Sequence, residues 1–371
     1  MEEIGVAIID QGVDFSYHRL TSSAAAEEVT LPREAGKAGE SKSMLYHGTN
    51  VASIIHYLAP ASRIISIRLD TEKITVDLLC RALEYCAQRK DVHIINISLG
   101  IVRSSPPEIL RQACMKCYHN GQVVIAAAHH ETSYPCYPAA FPTVIGVGTG
   151  IFRRMQDFCY VGEGYINVLA KGIHQRIQGE SGKPAIRSGT SYAAAALSGR
   201  LAYIYQQDIQ SRHIPVANLL QRYSVPGRST HYPLAADMQS DRKPLPEYIA
   251  DKRWMLFAVD DECIQPYFED PRVAMVMNYP MDPIDAYGAL VRKSGKKVIP
   301  GIVSPKMLEF IDVLIVGNFF SNTNLINTYF GYQLIDFFRA HGKRIETTDP
   351  YIQTLLDGAS VVATPSILEP T

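Results

Sequence analysis

Apolar positions in this chain fall into short unbroken runs, separated by stretches in which they recur every three or four residues. Val6 to Asp10, Arg63 to Leu69, His93 to Ile97, Val123 to Ala128 and Val144 to Val147 read as strands buried on both faces. The stretch opened by His47, Thr75 to Gln88, Pro107 to Asn120 and the stretch opened by Ser191 read as helices. The two kinds alternate from Val6 to Tyr205. That alternation predicts an α/β fold, a parallel sheet with helices on both faces, joined by right-handed crossovers and with the groups at the strand ends converging on one rim. Residues 21–42, rich in Ser, Ala, Glu and Gly, read as an exposed loop.

The pattern breaks after Tyr223. Between residues 224 and 250 the chain is rich in Pro, Ser, Asp and Arg with little periodicity, which suits a linker or an extended wrap around the first domain. A second alternating series follows, with strands near 254–259, 273–278, 298–302, 312–317 and 361–363 and helices near 284–293, 327–341 and 351–356. The expected organisation is therefore a domain over 1–223, a linker over 224–250, and a smaller Rossmann-like or flavodoxin-like α/β domain over 251–371. Its expected role is interaction or substrate recruitment. Asp260, Asp261 and Glu262 stand at a strand exit, where a solvated turn is the simplest reading. Gly317-Asn318-Phe319-Phe320 has too few glycines and too much bulk for a phosphate loop.

Three segments of the first domain carry an acid, a base and a hydroxyl: Ala7-Ile8-Ile9-Asp10-Gln11-Gly12, His47-Gly48-Thr49-Asn50 and Ser188-Gly189-Thr190-Ser191-Tyr192-Ala193-Ala194. An unactivated serine is a poor nucleophile at neutral pH. Acyl transfer needs an imidazole to take its proton and a carboxylate to fix that imidazole's tautomer, roles open to Ser191, His47 and Asp10. The order Asp, His, Ser, each in its segment, resembles the subtilisin-like serine peptidases, and the likeness covers about residues 3 to 205. It implies a subtilisin-like sheet. It also implies that the backbone of Ser98, Leu99 and Gly100, at the end of Ile94-Ile95-Asn96-Ile97-Ser98-Leu99-Gly100, pairs with an extended peptide substrate.

The chain departs from the family pattern at the oxyanion site. The family places Gly-Asn after the Val123-to-Ala128 run, and that asparagine donates to the oxyanion; here His129 and His130 follow. Three readings stay open. An imidazole N–H of His130 replaces the asparagine, His130 is displaced and another group donates, or the site does not turn over. The backbone N–H of Ser191, at a helix start, serves in each. Tyr192 and Ala195 replace the family's usual Met and Pro, and the tyrosine is expected to reshape the wall beside the nucleophile. Gln11 and Asn50 are further departures that supply no triad group.

Composition adds boundaries. The 371 residues carry 36 basic and 37 acidic side chains, with no global bias toward nucleic acid or an anionic membrane. No apolar stretch approaches the roughly twenty residues of a membrane span, and the first strand begins too early for a signal peptide, so a cytoplasmic protein is expected. Seven cysteines form an odd set without disulfide-like spacing; Cys114-Met115-Lys116-Cys117 reads as structural, since no second pair at zinc spacing accompanies it. No metal or other cofactor is expected. Two functions follow: an intracellular serine endopeptidase, including one that matures a precursor peptide, or a pseudoprotease that keeps the peptide-pairing strand without turnover.

Overall fold

A computed structural model describes residues 3–17, 20, 26–31, 45–69, 74–103, 105–129, 135–162, 164–173, 175–178, 184–230, 244–257, 267, 270–278, 297–300, 305–319 and 325–357. The chain divides into two compact units, residues 1–231 with 362–371, and residues 232–361. The first unit opens with β1 (Gly5–Asp10), β2 (Ala26–Leu31), α1 (Leu45–Leu58), β3 (Arg63–Leu69), α2 (Val76–Ala87) and β4 (Ile94–Ile97). Next come the short β5 (Ile101–Val102), α3 (Glu108–His119), β6 (Val123–Ala127), the short β7 (Cys136–Tyr137), β8 (Val144–Ile151), β9 (Phe158–Tyr160) and β10 (Val168–Lys171). A hairpin of β11 (Gln175–Gln178) and β12 (Pro184–Arg187) leads into α4 (Thr190–Gln207), α5 (Val216–Tyr223) and β13 (Arg228–Ser229).

Among the described residues, nine strands form one sheet in the order β2-β3-β1-β4-β6-β8-β10-β9, with β13 also paired to β8. From β2 to β10 every pairing is parallel; β9 and β13 add antiparallel edges. Alternate residues of a strand point to opposite faces, and here both faces are covered. Ile4, Val6 and Ile8 join the apolar layer under α1, α4 and α5, while Ala7 and Ile9 join the layer under α2 and α3. This double burial is why β1 reads as an unbroken apolar run. Thr75 caps α2, its hydroxyl accepting from Leu78 N at 3.2 Å.

Residues 26–31 correct the expected loop, because they form the edge strand β2, paired from Ala26↔Ile64 to Leu31↔Leu69. Glu27, Val29 and Leu31 are half-buried and Glu28 is exposed, a period-two pattern diluted by its polar neighbours. Arg63 and Arg89 reach Glu27 at 2.8 and 2.6 Å, which anchors the strand. The hydrogen bond and charge of Arg89 hold the Glu27 carboxyl below its ordinary range. Residues 224–229, expected in the linker, pack along the first unit: Val225 N donates to Phe158 O at 2.8 Å and Arg228–Ser229 pairs with β8.

The second unit holds β14 (Trp254–Phe257), β15 (Val273–Asn278), β16 (Lys297–Pro300), β17 (Val313–Val316) and β18 (Arg344–Glu346), all parallel in the order β16-β15-β14-β17-β18. Helices Leu325–Ala340 and Pro350–Leu356 accompany them. This is the smaller α/β sheet domain read from the sequence, with β18 in addition. Phe319, after Gly317, is fully buried against the rings of Phe257 and Tyr332, so this segment fills a core. Asp260 to Glu262, and the strand and helix expected near 361–363 and 284–293, lie outside the described residues.

α4 crosses α1 at very short range. A Cβ built on Gly199 would lie 3.0 Å from both Ile55 Cα and Ile55 O and 3.0 Å from Leu58 Cβ. On an exposed helix, replacing glycine gains helix propensity; here the added atoms overpack the contact. Gly199→Val is therefore expected to lower stability by about 1–3 kcal/mol, read as a lower urea midpoint in far-UV circular dichroism. An unchanged or raised midpoint would contradict this packing.

Candidate active site

The parallel order brings the carboxyl ends of β1, β4 and β6 side by side, and Asp10, His47, Ser98 and Ser191 are connected there by hydrogen bonds in two pairs. Asp10 is the last residue of β1 and is 2% exposed. His47 sits in the first turn of α1, and its Nδ1 lies 3.0 Å from both Asp10 carboxylate oxygens. A carboxylate only accepts, so Nδ1–H donates and Nε2 is left as the basic nitrogen. Gln11 N also donates to Asp10 Oδ1 at 2.8 Å, fixing the acid from its own backbone. The close approach explains Gly48: a Cβ there would meet Gly12 O at 2.2 Å and Asp10 Cβ at 3.3 Å.

The His47 side chain is 36% exposed beside a buried acid. The Asp10 charge raises the imidazole pKa above its ordinary value, burial opposes that rise, and the hydrogen bond to Asp10 adds to it. The sign follows from linkage. With the folded value raised, the charged pair stabilises the fold fully below the unfolded pKa near 6.5, and that contribution is lost as pH rises through the folded value.

Ser191 is the second residue of α4 and half-buried. Its N–H is among the first helical amides, which have no intrahelical acceptor. Its hydroxyl donates to Ser98 O at 2.9 Å, and Ser98 Oγ donates to Ser191 O at 3.2 Å. No hydrogen bond joins Ser191 to His47 among the described residues; the hydroxyl turns instead toward the strand end. Tyr192 links the two sides. Its buried ring packs at a tilt against the imidazole, with centroids 5.8 Å apart, so the residue expected to line the nucleophile's wall also backs the base.

Ser98 is buried, Leu99 half-buried and Gly100 exposed, immediately beyond the β4 ladder, which ends at Ile97. Gly100 lies against the short β7, where a Cβ would meet Cys136 Sγ at 2.4 Å. His129 is half-buried just past β6, and His130 lies outside the described residues. Sequence reading passed over two groups behind the site, Asn96 and Ser198, both fully buried; the polar Asn96 inside Ile94-Ile95-Asn96-Ile97 was the available signal. Among the described residues no three His, Cys, Asp or Glu side chains gather as a metal site, and no helix is long and apolar enough to cross a membrane. Cys114 and Cys117 are buried on the inner face of α3, and burial pushes the Cys117 thiol up to about 12.

A family model described as the subtilase family matches residues 2–222. The major intracellular serine protease of Bacillus subtilis (strain 168) is 28% identical over 229 residues, 57% of this chain and 70% of that protein. The thermophilic serine proteinase of Bacillus sp. (strain AK1) is 27% identical over 241 residues, 61% of this chain and 58% of that protein. Among solved structures, the prenylagaramide maturation protease PagA matches with a TM-score of 0.48 and 26% identity, over 61% of this chain and 85% of that one.

The Asp10 contact sets a measurable property of His47. In the Ser191→Ala protein, an NMR titration should place the His47 midpoint above its ordinary value of 6.5, and Asp10→Asn should lower that midpoint. Identical midpoints in the two proteins would mean that Asp10 does not govern the imidazole.

Proposed function

The chain belongs to the subtilase family, and from that membership and its serine-protease relatives we propose that its first unit cleaves peptide bonds through Ser191, His47 and Asp10. The supporting observation is the bidentate 3.0 Å contact of Asp10 with His47 Nδ1, which leaves Nε2 as a base beside the start of α4. Ser191 Oγ turns from Ser98 O toward Nε2, a rotation about χ1 between staggered positions, and attacks the scissile carbonyl carbon. The hydroxyl proton passes to Nε2, Asp10 stabilises the imidazolium, and that proton then goes to the leaving amine as the C–N bond breaks. Water repeats the sequence on the acyl-enzyme and restores the serine.

The Ser191 N–H and the dipole of α4 stabilise the oxyanion, with His130 as the second donor. An extended peptide adds as a strand along Ser98, Leu99 and Gly100, held through main-chain hydrogen bonds. We propose an intracellular setting, in keeping with the intracellular protease of Bacillus subtilis among the relatives. A precursor peptide is the proposed substrate, recruited by the second unit, since tethering raises the local concentration of cleavage sites without altering the cleft.

A fluorophosphonate probe tests the nucleophile. Wild type should be labelled, with labelling rising over about pH 6 to 9 as His47 loses its proton. Ser191→Ala should abolish it, and Asp10→Asn should lower turnover of a cleaved peptide by about 10⁴-fold. Absence of labelling across that range would favour the alternative, a peptide-binding protein without turnover. His130→Asn should retain or raise hydrolysis while His130→Ala lowers it by more than about tenfold; equal rates would remove His130 from the mechanism.

A further inference from the structure

We propose that Asn96 is a positioning residue for Ser191, acting through a buried, one-directional chain of hydrogen bonds that begins at Ser198 and ends on the peptide group of Ser191. The inference rests on the reading of Ser191 as the nucleophile. Asn96 lies between Ile95 and Ile97, whose side chains belong to the layer under α2 and α3, so its own side chain faces α4. Ser198 follows Ser191 by seven residues, about two helical turns, and shares its face of the helix. Ser198 Oγ donates to Asn96 Oδ1 at 3.0 Å, and Asn96 Nδ2 donates to Ser98 Oγ at 2.9 Å. Ser98 Oγ donates to Ser191 O at 3.2 Å, and Ser191 Oγ donates back to Ser98 O at 2.9 Å.

Each hydroxyl proton in this chain has a single destination, so the four groups can be satisfied together. Asn96 and Ser198 are 0% exposed and Ser98 is 5% exposed. Burying an amide and two hydroxyls costs desolvation that aliphatic side chains of similar size avoid, so packing alone does not call for them. Their distinctive contribution is directional: the carboxamide sets the distance between the strand end that would hold the peptide and the helix start that would attack it. Reactivity of a held pair is steep in that distance, with about 1 Å of misplacement able to cost on the order of 10²-fold.

The test uses the whole chain and measures fluorophosphonate acylation rates, kcat and KM on a peptide that wild type cleaves, and thermal unfolding in parallel. Ser198→Ala, remote from any bound peptide, should slow acylation about threefold; Asn96→Ala should slow it more than about tenfold, with kcat reduced and KM within about twofold. The double variant should be no slower than Asn96→Ala alone, because the second change removes a link already broken. Folded Asn96→Ala reacting within about twofold of wild type, or losses that multiply in the double variant, would overturn the proposal. If Asn96→Ala does not fold, a Ser198→Ala rate equal to wild type overturns it. If wild type itself is not acylated, the nucleophile reading fails and crystallography still decides the positioning role. A Ser191–Ser98 pair that opens beyond hydrogen-bond distance in Asn96→Ala supports it, and an unmoved pair overturns it.

Discussion

A parallel ladder sends the carboxyl end of every strand to the same rim, and the whole site depends on that directional constraint. β1 lies between β3 and β4 in parallel register, with Ile9 opposite both Ile67 and Ile97. Asp10 and Ser98 therefore emerge as neighbours although 88 positions separate them in the chain. Crossover helices are the physical cost of such a sheet, and they cover the faces that give the strands their apolar character. The architecture that buries Val6 through Ile9 thus also sets a buried carboxylate directly behind a partly exposed imidazole.

Onto that rim two helices bring the remaining groups, and small residues let them come close. Ala193 to Ala196 are buried along α4, and Gly199 allows the backbones of α1 and α4 to approach. α1 carries the base in its first turn and α4 carries the hydroxyl in its first turn. A bulkier residue at this crossing, eight residues beyond His47 in α1 and eight beyond Ser191 in α4, would push the two helices apart. Tyr192 then fills the space left beside the imidazole with a ring.

Much of this was legible in the sequence because buried strands and amphipathic helices have different apolar periods. α2 and α3 fall within a residue of the limits read from Thr75–Gln88 and Pro107–Asn120, where a capping threonine and a terminal asparagine mark the ends. β2 was hidden because half of its side chains face solvent and glutamates satisfy the arginines that anchor it, so its composition resembles a loop. β18 is only three residues long, too short for periodicity to register. At the site, Asp10 and His47 announced themselves by local motif, whereas the service of Asn96 to α4 depends on pairing across 102 residues, which no local window contains.

The same glutamates that disguise β2 matter for what this protein does in concentrated solution. An exposed parallel edge offers a template onto which a foreign strand can add. Here the edge carries Glu27 and Glu28, with Arg63 and Arg89 held to the first and Arg68 3.7 Å from the second. A second chain docking edge to edge would have to strip water from these charges or break their ion pairs. The molecule thereby discourages fibrillar self-association at one margin while its rim, on our reading, invites an extended guest.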